Sequence, residues 1–273
     1  MKRNKVLVVI RIVIALIVWF LIYKSYSTFV DPMLDGKLPD VIRLIIRGMI
    51  VPYTVALGAC YLIIRGMEVP YEYGGGTSGV LKNEIQNISV TPGFIIKAFL
   101  IQTGLSMPVI LIFNIILTIL GVTPHGMTAE EIFGKNYLFY IILLLGFAPA
   151  MEELIFRKLF LDRLLVIGEA GAIIISAVLF GLPHVFSQGI PQMLGTFIIG
   201  IVWAYVRIET GRLWPGIILH MMFNLYGCYF ALFMSKIPTT TVIFMFMSVI
   251  IIPIIASILL ITHFSSTKLK HQA

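Results

Sequence analysis

The sequence predicts an all-α, polytopic membrane protein with about eight transmembrane helices. Of its 273 residues, 59% are hydrophobic and only 12% are charged, and the mean hydropathy is +1.00. Apolar runs of about 17–25 residues, the length that crosses a bilayer, recur along the chain. Soluble domains of this size are far less apolar. The net charge of +7 therefore does not indicate nucleic-acid binding.

The apolar runs define eight predicted spans within one integral membrane domain that covers residues 1–273. The spans are residues 6–23, 41–64, 94–120, 137–161, 170–186, 190–207, 213–234 and 240–262. The first run follows a basic segment, as in a secretory signal, but it is long enough to span and no small-residue cleavage site follows. We expect it to be retained as a helix. The longest break, 65–93, contains a glycine-rich stretch at 74–79 and is predicted to be a flexible loop.

The distribution of basic residues predicts the orientation of the chain. With the N-terminus inside, the segments on the inner side carry Lys2, Arg3, Lys5, Arg65, Lys82, Arg157, Lys158, Arg163, Arg207, Arg212, Lys268 and Lys270. The loops on the outer side carry only Lys24, Lys37, Lys135 and Lys236. The positive-inside rule then predicts a multi-pass protein of the cell membrane with both termini in the cytoplasm.

The fourth span contains three charged residues within six positions, Glu152, Glu153 and Arg157. A single charge at the bilayer centre costs at least about 2.5 kcal/mol, so this cluster needs a reason. Residues four apart share a face of a helix, and we predict an ion pair between Glu153 and Arg157. Glu152 is rotated by about 100° and faces elsewhere. Its carboxylate is therefore available to act as a general base.

Polar residues in later spans match the depth of the acidic pair. Glu152 lies 16 residues before Gly168, the predicted hairpin turn, and His184 lies 16 residues after it. Equal rises along two antiparallel helices place the two side chains at one level, where they can share a water. His220 and Asn224, four residues apart, project from one face of a later span. We predict a catalytic cavity between the fourth to seventh helices that water reaches from the cytoplasmic side.

Other interpretations of these residues stay open. The charged cluster can be a structural ion network, and a histidine or asparagine inside a membrane can be an interhelical hydrogen-bond partner. Intramembrane Glu and His also build the proton relays of coupled transporters. Glu152, His184 and His220 can bind a divalent metal such as zinc. We favour a mechanism that requires no cofactor, because the sequence lacks a His-Glu-x-x-His motif and these ligands come from separate helices.

The order and spacing of these residues resemble the CPBP family, the intramembrane proteases related to the type 2 CAAX prenyl protease and to bacteriocin-processing and immunity proteins. Three motifs carry the resemblance: Glu-Glu-x-x-x-Arg at Glu152, Glu153 and Arg157, Phe-x-x-x-His at Phe180 and His184, and His-x-x-x-Asn at His220 and Asn224. The resemblance covers residues 137–230, which we predict to be the catalytic core. Lys158 departs from the family, in which many members have Gly after the Arg.

The resemblance implies an endopeptidase that hydrolyses a peptide bond within the membrane, near the cytoplasmic face. By this likeness Glu152, aided by His184, would activate the water, and His220 with Asn224 would stabilise the oxyanion. The residues that would hold this set in place are Glu153 and Arg157. The expected partners are membrane lipids and a membrane-associated or lipidated peptide, with no nucleic acid. The alternative is a non-catalytic bacteriocin-immunity or scaffold protein that acts by binding.

Overall fold

The structure is a computed structural model that describes residues 5–70, 89–123 and 126–272, with side chains described up to residue 262. Within these ranges the chain forms helices and turns, and no strand is present. The predicted glycine-rich loop at 74–79 lies outside the described residues, as do three of the cations used to predict the orientation, Lys2, Arg3 and Lys82.

Among the described residues, seven helices are long and apolar enough to cross a membrane. They are α1 (Lys5–Leu34), α2 (Asp40–Ile64), α3 (Pro92–Ile119), α4 (Tyr137–Ile167), α5 (Glu169–Thr210), α6 (Trp214–Met234) and α7 (Pro238–Thr262). A short helix, Ala129–Phe133, precedes α4, and helical structure continues beyond α7 to Gln272. The prediction of an all-α, polytopic membrane protein is confirmed.

The 42-residue helix α5 is a hairpin of two antiparallel limbs. Gly189 has φ 85° and ψ 177°, which interrupts the helix. In a straight helix Ala177 and Gly200 would lie about 34 Å apart, yet a Cβ on Gly200 would lie 3.1 Å from the Ala177 Cα. The limbs, 169–188 and 190–210, correspond to the predicted fifth and sixth spans. The eight predicted spans therefore all appear as helical segments.

Glycine and proline set the connections between the central helices. Gly168, with φ 102°, separates α4 from α5, and Gly211, with φ 62°, ends α5. The Gly211 N–H donates to the Arg207 carbonyl at 3.0 Å, which is a left-handed helix end that glycine adopts without steric cost. Pro215 lies in the first turn of α6, where its missing N–H leaves no bond unmade. The predicted hairpin turn at Gly168 is confirmed, and α6 begins at Trp214, one residue after the predicted start of that span at 213.

The helices pack in an order that places α6 beside the acidic pair. α3 packs against α5 and α7, α1 packs against α2, and α6 contacts α3, α4 and α5. Small residues allow α3 and α7 to approach closely, because a Cβ on Gly104 of α3 would lie 2.6 Å from the Ala256 Cβ of α7.

On α1, exposed apolar side chains recur every three or four residues and form one lipid-facing stripe. These side chains are Val6, Ile10, Ile14, Ile17 and Leu21.

Two π-helical segments flank the acidic pair, Leu143–Phe147 before it and Leu154–Leu161 after it. In the first segment the Ala148 N–H donates to the Leu143 carbonyl. The next donor in that register would be Pro149, which has no N–H, so the Leu144 carbonyl loses its helical partner. Wide turns of this kind occur often at functional sites, since they free backbone groups and re-aim side chains.

Candidate active site

The two adjacent carboxylates of α4 have different surroundings. Glu153 is completely buried, and its Oε2 lies 3.3 Å from Arg157 Nε. The side chain of Glu152 is 23% exposed and faces another direction. The predicted ion pair between Glu153 and Arg157 is confirmed. One acid is therefore neutralised inside the bundle while the other is accessible.

Arg157 joins α4 to the first limb of α5. Its Nη1 donates to Ser176 Oγ at 3.3 Å, and that hydroxyl donates in turn to the Phe156 carbonyl at 3.1 Å. The guanidinium carbon lies 4.7 Å from the centre of the Phe180 ring, a cation–π contact in a dry environment. Because Phe180 lies one helical turn before His184, the cation that pairs with Glu153 also fixes the limb that carries His184.

His220 of α6 lies between the two carboxylates. Its Nε2 is 3.9 Å from Glu152 Oε2, and its Nδ1 is 3.7 Å from Glu153 Oε1. One turn earlier, a Cβ on Gly216 would lie 2.8 Å from Glu153 Oε2. A glycine is therefore required where α6 passes the buried carboxylate, and it lets His220 approach both acids.

A buried network behind His220 fixes the position of the imidazole. The ring of Trp203 stacks on His220 with centroids 4.3 Å apart and planes at 28°. Trp203 Nε1 donates to Gln102 Oε1 at 2.5 Å, and Gln102 Nε2 donates to the Leu219 carbonyl at 3.0 Å. Gln102 thus satisfies both ends of its amide within the core. A glutamine in the middle of an apolar span was the signal for this role.

One ring nitrogen of His184 is bound to the backbone of its own helix. Its Nδ1 lies 3.1 Å from the Phe180 carbonyl, and that contact requires an N–H at Nδ1. In the neutral ring, Nε2 is then an acceptor. The ring interacts electrostatically with Glu152 and His220. The helix continues past the predicted end of this span at residue 186 and reaches Gln188.

Asn224 contacts the backbone of α4. Its Nδ2 donates to the Leu144 carbonyl at 2.9 Å, the group that Pro149 leaves without a helical partner. This hydrogen bond ties α6 to the π-helical segment just before the acidic pair. It supports a positioning role, and the predicted oxyanion contact of Asn224 stays a prediction that this bond does not support.

Glu152 and His184 line one cavity of about 540 Å³. Its opposite wall comes from α1 and α2, including Trp19, Tyr23 and Tyr53. The prediction that the cavity lies between the fourth to seventh helices is wrong in part: α4 and the first limb of α5 line it, but the first two helices supply ten of its 27 lining residues. Among the described residues, the lining does not include His220 or Asn224, which lie behind Glu152 rather than across from it.

The cavity extends towards the end of the bundle opposite the N-terminus. Its lining there includes Lys24, Ser27, Arg47, Met127 and Glu131. A neighbouring cavity of about 420 Å³ shares Arg47 and Glu131 and is rich in charge: Asp31, Asp40, Arg43, Glu130 and Lys135 also line it. The described lining contains no residue from the end that carries Arg65, Arg163 and Arg212.

This direction corrects the predicted access route. We expected water to enter from the cytoplasmic side, which the predicted orientation places at the end with the N-terminus. The cavity instead opens at the end formed by the loops between α1 and α2 and before α4. With the predicted orientation of the termini, that mouth faces away from the cytoplasm.

Tyr53 of α2 is the contact to Glu152 that sequence reasoning missed. Its hydroxyl donates to Glu152 Oε1 at 3.2 Å. The ring packs edge-on against Phe147 with centroids 5.3 Å apart, and the preceding Pro52 carbonyl accepts from Trp19 Nε1 at 2.7 Å. The available signal was a tyrosine in the middle of a predicted span, since membrane tyrosines are enriched at the interfaces instead.

That the site requires no metal stays a prediction. In the part of the chain that the structure describes, no three His, Cys, Asp or Glu side chains are grouped so that they could hold one. We therefore route no chemical step through a metal.

The fold defines a class: a polytopic helical membrane protein, in which Glu152 and His184 line one cavity. Residues 133–226 match the model of a family described as type II CAAX prenyl endopeptidase Rce1-like. The predicted resemblance to the CPBP/CAAX protease family is thereby confirmed for this part of the chain, and that family implies protease activity in general. No curated protein and no solved structure matches the chain.

Proposed function

We propose that the chain is an intramembrane endopeptidase that hydrolyses a peptide bond of a membrane-associated or lipidated peptide. One observation carries the proposal: Glu152 shares a cavity with His184, while the adjacent Glu153 is buried and paired with Arg157. A structural ion cluster needs only the second carboxylate. The family match over residues 133–226 supports protease activity independently.

In the proposed reaction Glu152 acts first as a base and then as an acid. It takes a proton from a water held between its carboxylate and His184 Nε2, and the water oxygen attacks the peptide carbonyl carbon. The proton then passes from Glu152 to the amide nitrogen as the C–N bond breaks. The products are a new carboxyl terminus and a free amine. Holding water and peptide together supplies much of the rate enhancement.

The remaining motif residues hold Glu152 in place. Arg157 compensates the charge of Glu153 and fixes the limb that carries His184. His220 contacts both carboxylates, and Asn224 binds the Leu144 carbonyl where α4 is distorted. Such supporting contacts keep a catalytic carboxylate within the narrow range of orientations that proton transfer requires.

We propose that the substrate enters through the mouth lined by Lys24, Ser27 and Arg47. With both termini in the cytoplasm, cleavage would then take place from the extracytoplasmic side, in place of the cytoplasmic face expected from the resemblance. The apolar wall of the cavity favours a membrane-associated peptide segment. The proposed mechanism is of the glutamate type and uses no metal.

The test compares membrane peptides from cells that make the wild-type chain with those from cells that make Glu152→Ala, each with and without a chelator. We expect peptide ends that appear only with the wild-type chain and that persist in chelator. Equal peptide patterns, with both proteins present in the membrane at equal levels, would defeat proteolysis and favour a binding role. Loss of the wild-type peptide ends in chelator would defeat the metal-free mechanism alone.

A further inference from the structure

We infer that Tyr53 is a further catalytic residue, whose hydroxyl stabilises the oxyanion that forms when water attacks the peptide carbonyl. The inference rests on the proposed function and adds a group that lies outside the family-matched segment 133–226. Tyr53 belongs to α2 and reaches the site across the cavity.

The geometry places the Tyr53 hydroxyl where the reaction occurs. It lies 3.2 Å from Glu152 Oε1 and lines the same cavity as Glu152 and His184. A water bound to Glu152 lies about 2.8 Å from a carboxylate oxygen. A peptide carbonyl attacked by that water on the Tyr53 side of the carboxylate lies within hydrogen-bond reach of the Tyr53 hydroxyl. The ring is held by Phe147 on one side and by the Trp19–Pro52 contact at its base.

The motif side chains near Glu152 donate no hydrogen bond to it from within the cavity among the described residues. His184 directs its Nδ1 to the Phe180 carbonyl, which leaves an acceptor at Nε2. Asn224 directs its amide nitrogen to the Leu144 carbonyl. His220 faces the two carboxylates from behind. Of the described side chains, Tyr53 is the one that offers a hydroxyl donor to Glu152 from within the cavity.

The proposed step moves one hydrogen bond and no additional proton. In the resting site the Tyr53 hydroxyl donates to the negatively charged carboxylate of Glu152. When Glu152 takes the water proton, its charge is neutralised and a negative charge appears on the former carbonyl oxygen. The Tyr53 hydroxyl then donates to that oxyanion and keeps its own proton. When the C–N bond breaks, the proton on Glu152 passes to the nitrogen and the resting hydrogen bond re-forms.

The test measures cleavage by the purified full chain in lipid nanodiscs. The probe is a library of fluorescence-quenched peptides, each with a lipid anchor, and kcat and KM are determined on the sequence cleaved fastest. We expect Tyr53→Phe to lower kcat by about 10²–10³-fold, the usual effect of removing one oxyanion donor, with KM little changed. Tyr61→Phe is the matched control, because Tyr61 is an exposed tyrosine of the same helix α2 that does not line the cavity, and we expect wild-type kinetics.

A fluorinated tyrosine at position 53 separates catalysis from packing. It keeps the shape of the ring and strengthens the hydroxyl as a donor, so kcat should change while the melting temperature does not. If Tyr53→Phe keeps the kcat of the wild type while Glu152→Gln is inactive, this inference is overturned and the proposed function stands. A raised KM with unchanged kcat would also overturn it, since Tyr53 would then bind substrate only. A wild-type chain that cleaves no probe would overturn both proposals.

Discussion

The segment 133–226 and the first two helices contribute to the site in different ways. The segment supplies the acid pair, the histidines and the buried cation, and most of these groups are shielded inside the bundle. α1 and α2 supply the facing wall of the cavity, part of its mouth and the hydroxyl on Glu152. The comparison shows that reactive groups and access to them come from separate parts of the chain.

The difference explains why a motif alone does not define this site. Glu153, Arg157 and His220 interact with each other, and these contacts lie within the matched segment. Glu152 instead reaches across to Tyr53, a residue 99 positions away. Substrate entry, and the side of the membrane from which it occurs, therefore depend in part on α1 and α2. These two helices lie outside the segment that matches the family model.

Loss of the accessible acid should have the largest effect. We expect Glu152→Gln to lower kcat by at least about 10²–10⁴-fold, because the amide cannot accept the water proton. The measurement is cleavage of the lipid-anchored peptide library. Glu130→Gln is the control, since Glu130 lines the neighbouring charged cavity. If kcat falls equally in the two variants, the loss does not depend on the position of Glu152 in the cavity.

Breaking the buried ion pair should mainly affect stability. Arg157→Met leaves Glu153 charged and unpaired in the core, and we expect a loss of about 3–5 kcal/mol in the free energy of unfolding. Combining it with Glu153→Gln removes the orphaned charge and should recover part of this loss. Thermal unfolding in detergent measures both. A double variant less stable than the single one would contradict the ion-pair role.

The network behind His220 should have a smaller effect. Gln102→Leu removes the partners of Trp203 Nε1 and the Leu219 carbonyl, and we expect a loss of about 1–3 kcal/mol of stability together with a fall in kcat. Gln192→Leu, a partly buried glutamine on the second limb of α5, serves as the control. If kcat per folded molecule is unchanged in Gln102→Leu, the network supports the fold without positioning His220.

The direction of access can be tested with substitutions that should leave activity nearly intact. In a Cys60→Ala, Cys228→Ala background, Ser27→Cys and Ser187→Cys place thiols at the mouth, and Arg212→Cys places one at the opposite end. We expect a membrane-impermeant maleimide to label positions 27 and 187, but not 212, in intact cells. The reverse pattern would contradict the proposed extracytoplasmic entrance.

The sequence was most informative where periodicity or charge constrains a helix directly. The spans, the Gly168 turn, the start of α6 and the pair of Glu153 with Arg157 follow from residue spacing within a single helix or hairpin. The wall of the cavity did not follow, because which helices face each other depends on packing between apolar surfaces of similar composition. The partner of Asn224 depended on a π-helical turn and on Pro149, whose combined effect on Leu144 is visible only in three dimensions.

The most direct measurement is hydrolysis of the lipid-anchored peptides by the purified chain in heavy-oxygen water, with Glu152→Gln alongside. If Glu152 activates water for peptide cleavage, the new carboxyl terminus made by the wild-type chain carries the heavy oxygen, and the variant releases no product. Intact peptides with the wild-type chain, or equally labelled products with Glu152→Gln, would contradict the account.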